Sequence, residues 1–274
     1  MKKNRSIRRT AAILLLLCAV LLLLILLGGQ GQKVKKNLPV TTPADGKNSG
    51  NIDQMLAEAS AGGDCVMIGY CLGKCANVNN QTHNGRTPLM LAAENGHNDA
   101  VTVLLQAGAD HALTDVLHYT ALSLAAKNNH VGVMRTLLRY GAAVNAGDNE
   151  GKTALLAACQ AGSLGALELL LQCNAALWPG QSSGQGPVVT ALRNGHLQAA
   201  RRLLENRADP NENDIEGNSV LMLAAAAGNT DLIQYLLENH QIDRLHTNQS
   251  GETAWDIAVK NNNQPVIDLL KINN

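Results

Sequence analysis

The sequence predicts an all-α protein, a solenoid of about seven two-helix units behind an N-terminal membrane or signal segment. Three observations carry this. Thr87-Pro88-Leu89 recurs as Thr120-Ala121-Leu122, Thr153-Ala154-Leu155, Ser219-Val220-Leu221 and Thr253-Ala254-Trp255, at spacings of 33, 33, 66 and 34 residues, with a degenerate copy, Gly186-Pro187-Val188, inside the long gap. A fixed period of this length marks a repeat array. A small pair follows in phase: Ala92-Ala93, Ala125-Ala126, Ala157-Ala158 and Ala224-Ala225. Only Gly or Asn then occupies one position, as Gly63, Gly96, Asn129, Gly162, Gly195, Gly228 and Asn262.

The chain opens with a basic stretch, residues 1–10, that carries Lys2, Lys3, Arg5, Arg8 and Arg9. Ala11 to Leu27 is then an unbroken run of 17 uncharged residues. At ~1.5 Å per residue it spans roughly 25 Å, a little short of a ~30 Å hydrocarbon layer. Residues 11–29 are therefore read as a signal-anchor, with a signal peptide cleaved near Gly29-Gln30-Gly31 as the alternative. Five basic residues before the run and three after it place the N-terminus in the cytoplasm and the body outside. Cys18, in the middle of the run, reads as a membrane residue rather than a lipid attachment site. Residues 30–50 are rich in Gly, Lys, Asn, Pro, Ser and Thr and read as a flexible linker to the repeat domain, 51–274.

Within each unit the residues have physical causes. Thr or Ser opens the first helix because its hydroxyl accepts from a free backbone N–H. Pro88 suits the first helical position, where its missing N–H has no partner to lose. The Ala pairs let neighbouring helices approach closely, and Gly or Asn tolerates the left-handed residue that ends a helix. A second helix follows with apolar i, i+3, i+4 spacing, as in Val101, Leu104 and Leu105, in Leu167, Leu170 and Leu171, and in Ile233, Leu236 and Leu237. An extended loop then leads to the next unit. The composition agrees: 43 Leu and 37 Ala build the core of a chain with no Phe, two Trp and four Tyr.

Gly85-Arg86-Thr87-Pro88-Leu89-Met90-Leu91-Ala92-Ala93-Glu94-Asn95-Gly96-His97 closely resembles the ankyrin-repeat pattern, and the resemblance runs from about Asn51 to Asn274. It implies that each unit is a helix–turn–helix followed by a hairpin loop. It also implies that proteins bind at the hairpin tips and along a concave face of inner helices, and that His97, His130 and His196 are structural. The first unit lacks the Thr-Pro-Leu element and reads as a cap. The fourth full repeat has Gly186 in place of the capping Thr and Arg207 in place of the terminal Gly, so it is expected to be the weak point of the stack. Trp255 is expected to pack within the final cap.

Charge bounds the partners. The first 36 residues hold eight basic residues and no acid, and the remainder holds 14 basic and 22 acidic residues. A body at −8 lacks the basic cluster a phosphate backbone requires, so no nucleic acid is expected. The eight His show no metal-ligand spacing, so no metal or cofactor is expected. Gly180-Gln181-Ser182-Ser183-Gly184 matches a nucleophile pattern but lies in an inter-unit loop with no buried strand before it, so no catalytic residue is assigned. Cys65, Cys71 and Cys75 cluster in the first unit, leaving a disulfide open, although Cys71 and Cys75 on one helix are poorly arranged for one.

Register selects the partner-binding candidates: Glu94, Asn95, Val116, Leu117, Tyr119, Lys127, Trp178, Arg193, Ile215 and Glu216. Most tips are polar. Val116-Leu117-His118-Tyr119 is not, and an apolar tip is a typical anchor for a partner. The expected function is a non-catalytic, monomeric protein-binding module in the bacterial envelope, anchored in the inner membrane with its repeats in the periplasm. A cleaved periplasmic form, or a cytosolic form started at Met55, are the alternatives. The chain resembles exported ankyrin-repeat immunity proteins of type VI secretion phospholipase effectors, which implies that it binds and neutralises such an effector. An envelope scaffold or stress-protection protein is the alternative.

Overall fold

A computed structural model describes residues 49–147, 153–177, 186–239 and 242–271. The apolar run, Cys18, Trp178 and the Gly180–Gly184 motif lie outside the described residues. The described residues form fourteen helices in seven pairs, with no strand and one isolated antiparallel bridge between Asn213 and Ser219. The inner helices are α1 (Ser49–Gly62), α3 (Pro88–Glu94), α5 (Ala121–Lys127), α7 (Ala154–Ala161), α9 (Pro187–Arg193), α11 (Val220–Ala226) and α13 (Ala254–Lys260). Their outer partners are α2 (Cys65–Gly73), α4 (Asn98–Gln106), α6 (Val131–Arg139), α8 (Leu164–Gln172), α10 (Leu197–Glu205), α12 (Thr230–Asn239) and α14 (Gln264–Leu270).

The inner helices start where the sequence places caps. The Thr87, Thr120, Thr153, Ser219 and Thr253 hydroxyls each accept from the N–H three residues on. At Thr253 the Asp256 carboxylate returns the bond, accepting from the Thr253 N–H at 2.8 Å. Each such cap is worth about 1 kcal/mol. The repeated Leu or Val after the cap is buried in five of these helices, at Leu89, Leu122, Leu155, Val188 and Leu221, and the Ala pairs are buried as well. Small side chains at these contacts let inner helices of successive units pack without large residues, which is how the chain forms a core without Phe. Trp255 stands at the same register in α13 but is half exposed, because no further inner helix covers it among the described residues.

The helix-ending position does more than tolerate a left-handed residue. Gly63, Gly96 and Gly162 have φ of 72°, 79° and 68°, and a Cβ on each would lie within 2.6 Å of the imidazole of His97, His130 or His196 in the next unit. Each imidazole in turn reaches back, with Nε2 3.0 to 3.1 Å from the carbonyl of Ala61, Glu94 or Gln160. A carbonyl only accepts, so Nε2 carries the proton. Where the Gly becomes Asn129, the next unit has Ser163 instead of His. Asn129 Oδ1 then accepts from the Ala166 N–H at 2.8 Å, and the Ser163 hydroxyl donates to the Lys127 carbonyl at 2.8 Å. With no imidazole to clear at this junction, the Asn129 side chain is accommodated.

The unit expected to be weak is capped from its own trailing loop. Gly186 has no side chain to cap α9, but the Glu212 carboxylate, in the loop that follows α10, accepts from the Val189 N–H at 3.0 Å and from the Val188 N–H. A Cβ on Gly186 would stand 2.1 Å from the Glu212 Cδ, so the carboxylate occupies the space of the missing Thr. Arg207, by contrast, takes the left-handed conformation at φ 68° with no glycine to ease it, and Cys75 does the same at φ 63°.

Candidate functional site

Three of the described inter-unit hairpins are tied by their own first side chain. Asp115 Oδ1 accepts from the Leu117 and Tyr119 N–H groups, both at 2.9 Å. Asp214 Oδ1 accepts from Glu216 at 2.9 Å and Asn218 at 2.8 Å, and Asn248 Oδ1 from Ser250 at 2.9 Å and Glu252 at 3.0 Å. This local side-chain-to-backbone bonding fixes the turn and leaves its second and third residues outward. Gly85, Gly217 and Gly251 then take positive φ, and His118 adopts the same conformation at φ 64°. Neighbouring tips are joined by main-chain bonds, Val116 N–H to the Asn84 carbonyl at 3.1 Å and Gln249 N–H to the Glu216 carbonyl at 3.0 Å.

The outward residues are where the chemistry differs. Val116 is 62% exposed, Leu117 54% and Ile215 62%. Nothing in the turn geometry requires them to be apolar, since the polar tip at Gln249-Ser250 forms the same turn. Tyr119 is half buried against the core, with Lys127 Nζ 5.4 Å from its ring centroid, so the two form one cation–π pair below the Leu117 tip.

The charged candidates are mostly committed to neighbours. Arg86 pairs with Glu94 and, at 3.4 Å, with Asp115 of the next unit. Arg193 pairs with Asp214 at 2.9 Å and with Glu216 at 3.5 Å. Asp115 and Asp214 are buried, so each Arg neutralises the acid that ties the neighbouring tip. Glu94, Arg193 and Glu216 thus shape the tips as well as lying beside them. Asn95 is exposed, but its side chain donates to the Leu91 carbonyl at 2.9 Å and closes α3. Sequence register found the outward positions and missed these pairings, although Asp115, Asp214 and Asn248 recur in phase and signal the tied turn.

Other groups are accounted for structurally. Cys71 and Cys159 are buried and their thiols are pushed up by desolvation, which keeps them protonated and inert. Cys65, Cys71, Cys75, Cys159 and Cys173 are all thiols in this structure. Among the described residues, no group of His, Cys, Asp and Glu gathers to hold a metal ion, and no helix is long and apolar enough to cross a membrane.

A stack of capped helix pairs that presents tied hairpin tips defines a repeat solenoid built to display side chains. The family profile for ankyrin repeats (three copies) matches residues 20–115, 111–180 and 188–274, and the chain belongs to the ankyrin-repeat family. The solved structure of the human ASB11 ankyrin repeat domain is similar at a TM-score of 0.70 and 23% identity, covering 80% of this chain and 98% of that one, a likeness of fold. No curated protein matches the chain. Ankyrin repeats indicate a protein-binding module, and their fold is typically non-catalytic.

Proposed function

We propose that this chain is an exported, membrane-anchored immunity protein whose hairpin tips bind and neutralise a secreted antibacterial effector of the phospholipase class. The observation that carries the reading is the pair of uncommitted apolar tips, Val116-Leu117 and Ile215, on a row where Arg86, Arg193 and Lys260 are each held by acids of the scaffold. Apolar side chains that support no fold of their own are suited to fill pockets on a partner. The basic leader and apolar run at the N-terminus support export, and the −8 body suits a basic partner through faster association. The resemblance to immunity proteins supplies the partner class.

Co-expression with the product of the adjacent gene tests the reading. The full chain should co-purify with it and protect cells from it. Leu117→Asp should weaken binding by at least tenfold in a titration while helicity and melting stay unchanged. An affinity unaltered by Leu117→Asp would remove the tip from the interface. A chain that neither binds nor protects would overturn the immunity role and favour the scaffold.

A further inference from the structure

The outer helix of the first unit is unlike the other six. Each of those carries charge: Asp99 on α4, Arg135 on α6, Glu168 on α8, Arg201 on α10, Asp231 on α12 and Asp268 on α14. α2 reads Cys-Val-Met-Ile-Gly-Tyr-Cys-Leu-Gly, with none. Its inner side packs as expected, with Ile68 and Cys71 fully buried. Val66, Gly69, Tyr70 and Gly73, spaced i, i+3, i+4, i+7, form a second stripe, and all four are exposed, Val66 by 85% and Tyr70 by 53%. Met67 flanks it, and open space lies over both glycines. The end of a repeat stack is where a polar outer face is needed for solubility, and this unit is the first among the described residues, so the stripe opposes its position.

Its size limits what covers it. Nine residues make a helix roughly 14 Å long. A stripe of that length falls far below the ~800 Å² per partner of a stable protein complex. A second copy or a soluble partner is therefore not held by it alone. An apolar phase kept at high local concentration is different, and the chain itself carries a means of supplying one. The apolar run ends at Leu27, and α1 begins at Ser49. Treated as the linker that their composition suggests, the roughly 20 residues between them have an r.m.s. span of ~25 Å, a reach that lets the first unit touch an anchoring bilayer. Asp53 Oδ1 accepts from the Asn77 N–H at 2.7 Å, so the start of α1 lies beside the end of α2. There Lys74 holds its ammonium 5.8 Å from the Tyr70 ring centroid, and Lys33, Lys35 and Lys36 precede the unit. Tyr beside Lys is the pairing favoured at a lipid headgroup boundary, and the basic residues suit anionic lipid. The only acid at the helix, Asp64, is folded onto the Val66 and Met67 N–H groups at its N-terminus.

We propose that α2 is a lipid-contacting helix, which places Val66, Met67 and Tyr70 in the headgroup–acyl boundary of the bilayer that anchors the chain. The proposal rests on the anchor reading above. Its test uses the full chain in vesicles of phosphatidylethanolamine and phosphatidylglycerol, with and without brominated acyl chains. Bromine should quench the added emission of Val66→Trp by half or more. The added emission of Leu245→Trp, at an exposed loop residue of the sixth unit, should not be quenched. Flotation of the same vesicles reports the anchor separately. A chain that floats with residue 66 unquenched overturns the contact and leaves the anchor standing, and a chain that does not float overturns both. A dimer in detergent that Val66→Asp dissolves would assign the stripe to a second copy and overturn the lipid contact.

Discussion

Replacing Glu212 by Gln should raise stability at pH 8 and leave it nearly unchanged near pH 4.5. Glu212 is buried, and desolvation pushes its carboxyl up to about 7, with Asp209 adding to the shift and the Val189 and Val188 N–H groups opposing it. No basic side chain is among the groups that act on it. The buried thiol of Cys159 also senses its charge. A carboxyl whose folded value lies above its unfolded value stabilises the fold below the unfolded value and loses that contribution as pH rises through the folded one. From 4.5 to about 7, at 1.36 kcal/mol per unit, the loss is about 3 kcal/mol by pH 8. Gln keeps the carbonyl that accepts from Val189 and never ionises. Thermal melting followed by circular dichroism should then place Glu212→Gln on the order of 10 °C above the native chain at pH 8, from about 2–4 °C per kcal/mol. The two should converge toward pH 4.5. Parallel melting curves across that range would show that the carboxyl does not titrate in the fold, and the argument from burial would fail.

Three further outcomes follow from the same packing. Gly186→Thr alone should destabilise by about 2 kcal/mol, because its Cβ meets the Glu212 carboxylate, whereas Gly186→Thr with Glu212→Ala should recover most of that loss by restoring the usual Thr cap, as a double-mutant cycle in urea would show. Gly96→Ala should cost about 2–3 kcal/mol, since it adds a strained left-handed residue and displaces the His130 ring from the Glu94 carbonyl; equilibrium unfolding measures it. Arg207→Gly should gain up to about 1 kcal/mol by relieving a left-handed Arg, read as a higher urea midpoint at unchanged slope.

The repeat unit is readable from one chain. Thr, Ala pair and Gly recur in phase because each answers a local requirement, so the helix starts, the core helices and the turns were legible from one chain. The outward tips Val116, Leu117 and Ile215 were legible for the same reason, as positions within a unit. What a neighbour brings to those positions emerges from packing in three dimensions. Arg193 looked free by register and is held by Asp214, 21 residues on. The unit with Gly186 looked uncapped and takes its cap from Glu212, 26 residues on. Asn129 looked like a plain substitute for Gly and is matched by Ser163. Residues this far apart meet only when the helices and loops pack in three dimensions. Period fixes a residue's place within its own unit, and the side chain packed against it fixes whether that place is free, paired or filled.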